Sequence, residues 1–369
     1  MEDAVALAVA EALLAQPTAP LVEDLPAGHI ASVAATHGLA VDRDAAGNLI
    51  VRYEAPDAGS ARPLVLVAHL DHPGFAITSV DGDELALEFR GGLMAEHARP
   101  GSTVDLFEAG RVDAVGTAGV VEAHEAGGRL TGAVASLLSG RAPAGGFAMW
   151  AFPGFSIVDG RITGRVCDDL LGAAAALAAL VEVADRRPAG VAVWGVFTRA
   201  EEIGFLGALE AIRLGTVPHE ADVLSLECSK ALPDAPQGGG VIVRVGDRMS
   251  IFDPGLTAAL TTAAADLAAG DDGFRFQRKL MDGGACEATA FCAAGYRASG
   301  LALPLGGYHN ASDGDPGIVA ESVVVADYLA EVRLLVELAC RPELLHPDAG
   351  PPAWLEERRA AARATLGAA

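Results

Sequence analysis

Four short apolar runs in this chain each stop on a histidine or a carboxylate, and that repetition constrains the fold more than any other feature. PLVLVAHLD ends in His69 and Asp71, VAVWGVFT runs into Glu201-Glu202, ADVLSL into Glu227, and SGLALPL through Gly306-Gly307 into Tyr308-His309. A continuous Leu/Val run has no polar face, so it reads as a strand buried on both sides, the kind found inside a parallel sheet. Helix-like stretches at 170–184, 206–214, 255–269 and 320–338 separate or follow these runs. Strands alternating with helices predict a doubly wound α/β fold, a mixed sheet with helices on both faces. Ligands of such sheets bind beyond the carboxyl ends of the strands. The strand-end histidines and acids are therefore expected to meet in one crevice.

From Pro73 to Gly160 the texture changes. Runs such as FAITSV, ELALEF, STVDLF, VDAVGTAGVVEA and FAMWAF, punctuated by Gly, Asp and Pro, predict a small β barrel or sandwich inserted into the α/β chain. The expected division is a catalytic α/β domain of residues 1–72 and 161–369 and an inserted β-rich domain of residues 73–160. GLAVDRDAAGNLIVRY reads as a hairpin, and AVALAVAEALLAQ as an N-terminal amphipathic helix. The latter follows acids where a signal peptide would carry Lys or Arg. AWLEERRAAARATLG, from Ala353, reads as a solvent-facing helix or a frayed end.

Asp and Glu outnumber Lys and Arg 49 to 26, and the net charge of −23 repels phosphate backbones and anionic membrane surfaces. Neither nucleic acid nor a membrane is an expected partner, and the longest apolar runs fall short of the roughly 20 residues that cross a bilayer. Five cysteines, an odd set without a CxxC pair, indicate neither a disulfide framework nor a thiolate zinc site and point to a reducing cytoplasm.

Taken singly, the strand-end residues say little, because a lone histidine usually caps or packs, and paired acids such as Asp168-Asp169 or Glu201-Glu202 usually open a helix. Their combination is more specific. Acids gathered at close range repel, and burial raises their pKa values. A pair of divalent cations removes that conflict, and carboxylate oxygens with two imidazoles suit zinc, with cobalt or manganese as alternatives. Two metals sharing a carboxylate would sit about 3.5 to 4 Å apart and hold the attacking water between them.

These motifs resemble the glutamyl and deblocking aminopeptidases, whose members often build tetrahedral shells, within the wider group of co-catalytic two-metal exopeptidases. VDRDAAGNLI looks like that family's turn before the first metal strand, and AHLDHPGF like its His-x-Asp motif. GRVCDDLLG is similar to the bridging-aspartate motif, TRAEEIGFLGA to the Glu-Glu motif, and GLALPLGGYHNASD to the last ligand strand. The resemblance implies that His69 with Glu227 holds one metal, Glu202 with His309 holds the other, and Asp168 bridges them. It further implies that Asp71 accepts the proton of the His69 imidazole and that Glu201 serves as general base. The insert lies between Asp71 and Asp168, as in that family, which implies a lid and assembly role and a homo-oligomer. This chain departs from the family by carrying Glu227 in place of Asp, Leu170 in place of Arg, and Ala285-Cys286-Glu287-Ala288 in place of Gly-Thr-Asp-Ala.

The leading expectation is a metal-dependent aminopeptidase acting on short peptides in the cytoplasm. An exopeptidase needs a carboxylate for the substrate α-amine that is not spent on metal. Glu287, in the place of the family Asp, is the first candidate, and Asp313, just past His309, the second. One alternative is a two-metal deacylase or amidase on a small N-acyl compound, distinguished by whether a free α-amine is required. Another is a degenerate homologue serving as an assembly subunit, whose signature would be a lost ligand.

Overall fold

The computed structural model describes residues 1–346 and 353–367. Two helices open the chain, α1 (Asp3–Leu14) and α2 (Asp24–Thr36), and α1 buries Ala6, Ala10, Leu13 and Leu14 along one stripe. The expected hairpin follows as β1 (Ala40–Arg43) and β2 (Leu49–Glu54), and the Leu/Val run becomes β3 (Leu64–His69), buried at every position. The chain then leaves the sheet. Strands β4 (Gly74–Asp81), β5 (Glu84–Arg90), β6 (Thr103–Phe107), β7 (Gly116–Ala126), β8 (Arg129–Gly140) and β9 (Phe147–Trp150) close an antiparallel barrel in the order β4-β5-β8-β7-β6-β9. Phe75, Leu85, Leu106, Ala118 and Trp150 are among the side chains filling a barrel core separate from that of the α/β body.

Two short strands, β10 (Ser156–Val158) and β11 (Arg161–Gly164), lead back to α3 (Leu170–Arg186) and to β12 (Ala192–Thr198). The remaining alternation is α4 (Leu206–Leu214), β13 (Asp222–Ser225), β14 (Cys228–Lys230), β15 (Val241–Asp247), α5 (Pro254–Gly270), β16 (Phe276–Met281), α6 (Glu287–Ala293) and β17 (Arg297–Leu305). Then come β18 (Glu321–Val324), α7 (Val325–Cys340) and α8 (Ala353–Leu366), whose described side chains are exposed. The main sheet has the order β1-β2-β12-β3-β13-β17-β15-β16, with β14 also paired to β17. It is mixed, because β12, β3, β13 and β17 run parallel while β15 runs antiparallel to β17.

The two-faced burial of β3 shows why its run carries no polar alternation. Leu64, Leu66 and Ala68 pack with residues of α1, α3, α5 and α7 on one face, whereas Val65 and Val67 pack with residues of α4 and α6 on the other. Helix α3 is buried nearly all round, and its alanines let α1 and α7 lie close against it. Asp169 caps this helix by accepting from the Gly172 N–H at 3.2 Å. A Cβ at residue 172 would fall 2.3 Å from the capping oxygen, so a larger residue there would displace the cap.

Two differences from the expectation have a physical cause. The stretch 320–338 divides, with Glu321–Val324 pairing antiparallel to β11 and only the later part forming α7. A run of valines there satisfies a strand as readily as a buried helix, and sheet pairing decides it. Strand β8 matches none of the runs read as strands, because RLTGAVASLLSG alternates poorly and its pairing with β7 shifts register three times.

Candidate metal centre

The strand ends deliver their residues to one place, as a sheet of this kind requires. His69 is the last residue of β3, Glu201 and Glu202 follow β12, Glu227 follows β13, and His309 sits in a 3-10 turn after β17. Asp168 immediately precedes the cap of α3. Ala200, His309 and Asn310 adopt left-handed backbone conformations with φ of 55°, 54° and 60°. Such non-glycine residues each store about 1–3 kcal/mol of strain, and they cluster here, where side chains must be aimed inward.

Asp168 stands between the two imidazoles. Its Oδ1 lies 3.5 Å from His69 Nε2 and its Oδ2 lies 3.6 Å from His309 Nε2. Glu227 Oε2 is 3.9 Å and Glu201 Oε2 4.0 Å from His69 Nε2, while Glu202 Oε1 is 3.2 Å from His309 Nε2. One ligand atom each from His69, Asp168 and Glu202 falls within a 4.8 Å cluster. All five proposed ligands and Glu201 are thus brought together, split into a His69 half and a His309 half around one carboxylate.

This donor set fits cations. Among the described residues, Asp168 Oδ1, Glu202 Oε1 and Glu227 Oε1 are buried without a hydrogen-bond partner, an arrangement that costs energy unless a positive charge arrives. Burial, with Asp168 nearby, pushes Glu227 up to about 8, and burial with Glu227 and Glu202 nearby pushes Glu201 well above the carboxylate range. Burial would depress both histidines, but Glu201, Asp168 and Asp71 outweigh it for His69, and Glu202 and Asp168 hold His309 at about 9. Asp168, Asp169 and Cys228 form a second cluster, but Asp169 is the α3 cap and the Cys228 thiol donates to the Cys167 carbonyl.

The surrounding shell orients these groups. His69 Nδ1 is 3.0 Å from the main-chain carbonyl of Asp71 and 3.6 Å from its Oδ1, so the carbonyl accepts the Nδ1–H hydrogen bond. The Asp71 carboxylate instead accepts the N–H groups of Glu201 and Glu202, at 2.9 and 3.1 Å, and thereby fixes the loop that carries both acids. Motif reading missed three further residues, Glu321, His72 and Asn310. Glu321 accepts the N–H groups of Cys167 and Asp168 on Oε2 and that of His309 on Oε1, joining two ligand segments. His72 spans the Asp168 carbonyl and Asn310 Oδ1 at 2.8 and 3.0 Å. The sequence offered only weak signals for these: His72 directly follows the His-x-Asp motif, and Glu321 is an acid inside an apolar run.

The two amine-binding candidates differ in placement. Glu287 is fully enclosed at the start of α6, and burial, opposed by the nearby His69, pushes it up to about 7. Asp313 is exposed and pairs with Lys230 at 2.9 Å. A cavity of about 140 Å³ opens beside the centre, lined by Glu227, Lys230, Arg244, Met281, Gly284 and Tyr308 among others. Arg244 is buried over the Phe252 ring, and its Nε has no partner among the described residues. A larger open cleft, about 900 Å³ between β2 and the end of α3, contains none of the site residues.

Residues 144–313 match the family model described as M42 glutamyl aminopeptidase. No curated protein sequence matches the chain significantly. Among solved structures, a TET aminopeptidase from a marine sediment archaeon of the Thaumarchaeota is similar with a TM-score of 0.76 at 18% identity, over 93% of this chain and 98% of that one. An aminopeptidase from the archaeon Desulfurococcus kamchatkensis gives 0.76 and 18%, over 95% and 99%. The TET1 peptidase of Pyrococcus horikoshii, described as assembling into a tetrahedron or a large octahedral shell, gives 0.71 and 20%, over 92% and 99%. At such identities the likeness establishes the fold. The protein resembles the M42 glutamyl aminopeptidases in sequence over residues 144–313, and solved TET aminopeptidases in fold over nearly its whole length.

Proposed function

We propose that the protein is a metal-dependent aminopeptidase that removes N-terminal residues from short peptides, with two divalent ions, zinc foremost, held by His69, Asp168, Glu202, Glu227 and His309. The observation that carries this reading is the Asp168 carboxylate, whose two oxygens face two different imidazoles at 3.5 and 3.6 Å while buried acid oxygens around it lack partners. When bound, the ions polarise the scissile carbonyl and activate water. Glu201 takes the proton of that water and passes it to the leaving amine, a task suited to a carboxyl whose pKa is raised by burial and by neighbouring acids. Asp71 holds Glu201 and Glu202 at their main-chain N–H groups, so one is aimed at the reacting atoms and the other at the metal.

The cavity beside Glu227 suits the side chain of the residue being released. Arg244 and Lys230 in its wall favour an acidic side chain, in keeping with the description of the matching family model. Of the two amine-binding candidates, Asp313 is the one that solvent reaches. Among the described residues no helix is long and apolar enough to cross a membrane. A cytoplasmic homo-oligomer is proposed from the assemblies of the P. horikoshii peptidase and from exposed apolar side chains such as Val121 and Leu138 on the barrel and Met249 and Ile251 before α5.

The test is Glu201→Gln. The variant should keep two metals per chain while turnover of amino-acyl anilides falls by about 10² to 10⁴. Near-normal turnover would remove Glu201 from its role, and preference for N-acetylated over free-amine substrates would favour a deacylase.

A further inference from the structure

Among the described residues, the barrel's hydrogen bond to the centre falls on one of the two imidazoles. His309 Nδ1 lies 2.5 Å from the carbonyl of Gly92, in the turn that leaves β5, so Nδ1–H donates to that carbonyl and Nε2 is the nitrogen that faces Asp168 and Glu202. The segment after His309 is also seated on the barrel. Gly317 contacts His97 Nδ1 through both its carbonyl, at 3.1 Å, and its N–H, at 3.3 Å. Ala311 and Ile318 pack against the barrel core. Every other proposed ligand whose orienting bonds are described is held by the α/β body: His69 by the Asp71 carbonyl, Glu202 by the Asp71 carboxylate, and Asp168 by Glu321.

The turn that presents Gly92 is stiff. Arg90 pairs with Gly74, the Leu93 carbonyl accepts from the Leu130 N–H, and Met94 bridges to Arg129. Gly91, at φ +125°, lies so tightly on Pro73 that a Cβ would fall 2.7 Å from that ring. Pro73 in turn follows the ligand strand β3 by only a few residues. The Gly91-Gly92 turn is therefore clamped at both sides, and it hands its rigidity to His309.

We infer that the inserted barrel is an orienting arm for one half of the metal pair: through the Gly92 carbonyl and the seating of residues 311–318 it sets the affinity of the His309–Glu202 half and leaves the His69–Glu227 half independent. This rests on the two-ion reading above. An outer group that fixes a ligand imidazole typically contributes 10–100-fold in metal affinity. Coupling of this kind is reciprocal, so an ion in the His309 half must also hold the barrel turn more firmly in place.

The experiment titrates zinc into the metal-free full chain against a competing chelator. Wild type holding one tight ion only would refute the two-ion reading itself, and this inference with it, before any variant is made. With two ions established, Gly91→Val, which pushes the turn off Pro73, should weaken one of them by about 10–100-fold and leave the other within about threefold. Loss of both together, or of neither, would overturn the inference while leaving the two-ion reading intact. His97→Ala, which removes a peripheral contact, should weaken the same ion by a smaller factor if Gly91→Val does not fold. Hydrogen exchange supplies a readout without activity. Zinc should slow exchange in wild-type residues 91–97 and 309–319 beyond its effect elsewhere in the barrel, and unchanged exchange there in the two-ion form would count decisively against the arm.

Discussion

Replacing Glu321 by Gln should be far more damaging than an isosteric change usually is. Its carboxylate takes three main-chain N–H groups, those of Cys167 and Asp168 at 2.7 and 3.0 Å on one oxygen and that of His309 at 2.9 Å on the other. A glutamine has a single acceptor oxygen, which would turn toward the two N–H groups and leave its NH₂ facing that of His309. One charge-assisted bond disappears, about 1.5–3 kcal/mol, and the stranded buried donor costs about 1–3 kcal/mol more. Removing a buried charge offsets part of this, since burial already raises the Glu321 pKa against the pull of His72 and the main-chain donors. A net loss of about 3 kcal/mol remains, a large fraction of a typical 5–15 kcal/mol stability. Urea unfolding of the metal-free protein measures it, and zinc competition should show weaker binding as His309 loosens. A variant within about 0.5 kcal/mol of wild type, with unchanged zinc affinity, would refute the claim that Glu321 ties the two segments together.

The same substitution at Glu331 should have the opposite sign. Both its oxygens are buried without partners among the described residues, and burial holds its pKa well above the ordinary value. The folded state keeps this proton after the unfolded chain has lost it, so stability is full below the unfolded pKa and declines by about 1.4 kcal/mol per unit as pH rises from there to the folded pKa. Glu331→Gln should match wild type near pH 4 and flatten the decline at higher pH in thermal melts, and an equal decline in both proteins would remove Glu331 as its cause. Zinc affinity should climb with pH until His309, at about 9, has lost its competing proton, with up to about tenfold gained per unit and proton release visible by calorimetry in buffers of different ionisation enthalpy. Arg244→Met should lower kcat/KM for glutamyl anilides by about 10-fold or more while sparing leucyl anilides, and equal losses for both would take Arg244 out of substrate selection.

The gathering of the proposed ligands was legible because strand ends are local features. A Leu/Val run that stops on His69 states its own geometry, and so does one that stops on Glu227. The groups that orient those ligands left almost no trace. Glu321 reaches Asp168 across 153 positions, and its place in β18 is fixed by pairing with β11 and by a bridge from Ser322 to Gly306. The Gly92 contribution is a carbonyl, which every residue has. Asp71 was read as a side-chain partner for His69, but its carbonyl lies nearer the imidazole, at 3.0 Å against 3.6 Å for Oδ1, and its carboxylate accepts from the Glu201 loop. Motifs record which atoms must be present, whereas second contacts depend on how distant segments meet.

Helix α3 carries a consequence for anyone who wishes to make this protein hardier. Its run from Ala173 to Ala179 looks like an invitation to larger side chains, the usual route to filling gaps. Each of these positions is fully buried, and the helices pressed against it leave no room for added methyl groups. Extra volume there would force the neighbours apart at about 1–3 kcal/mol per insertion. The strain would act on the helix that begins directly behind Asp168. Improvement therefore has to come from the periphery, from the exposed tail helix and the surface turns, while the alanine rod is left as it is.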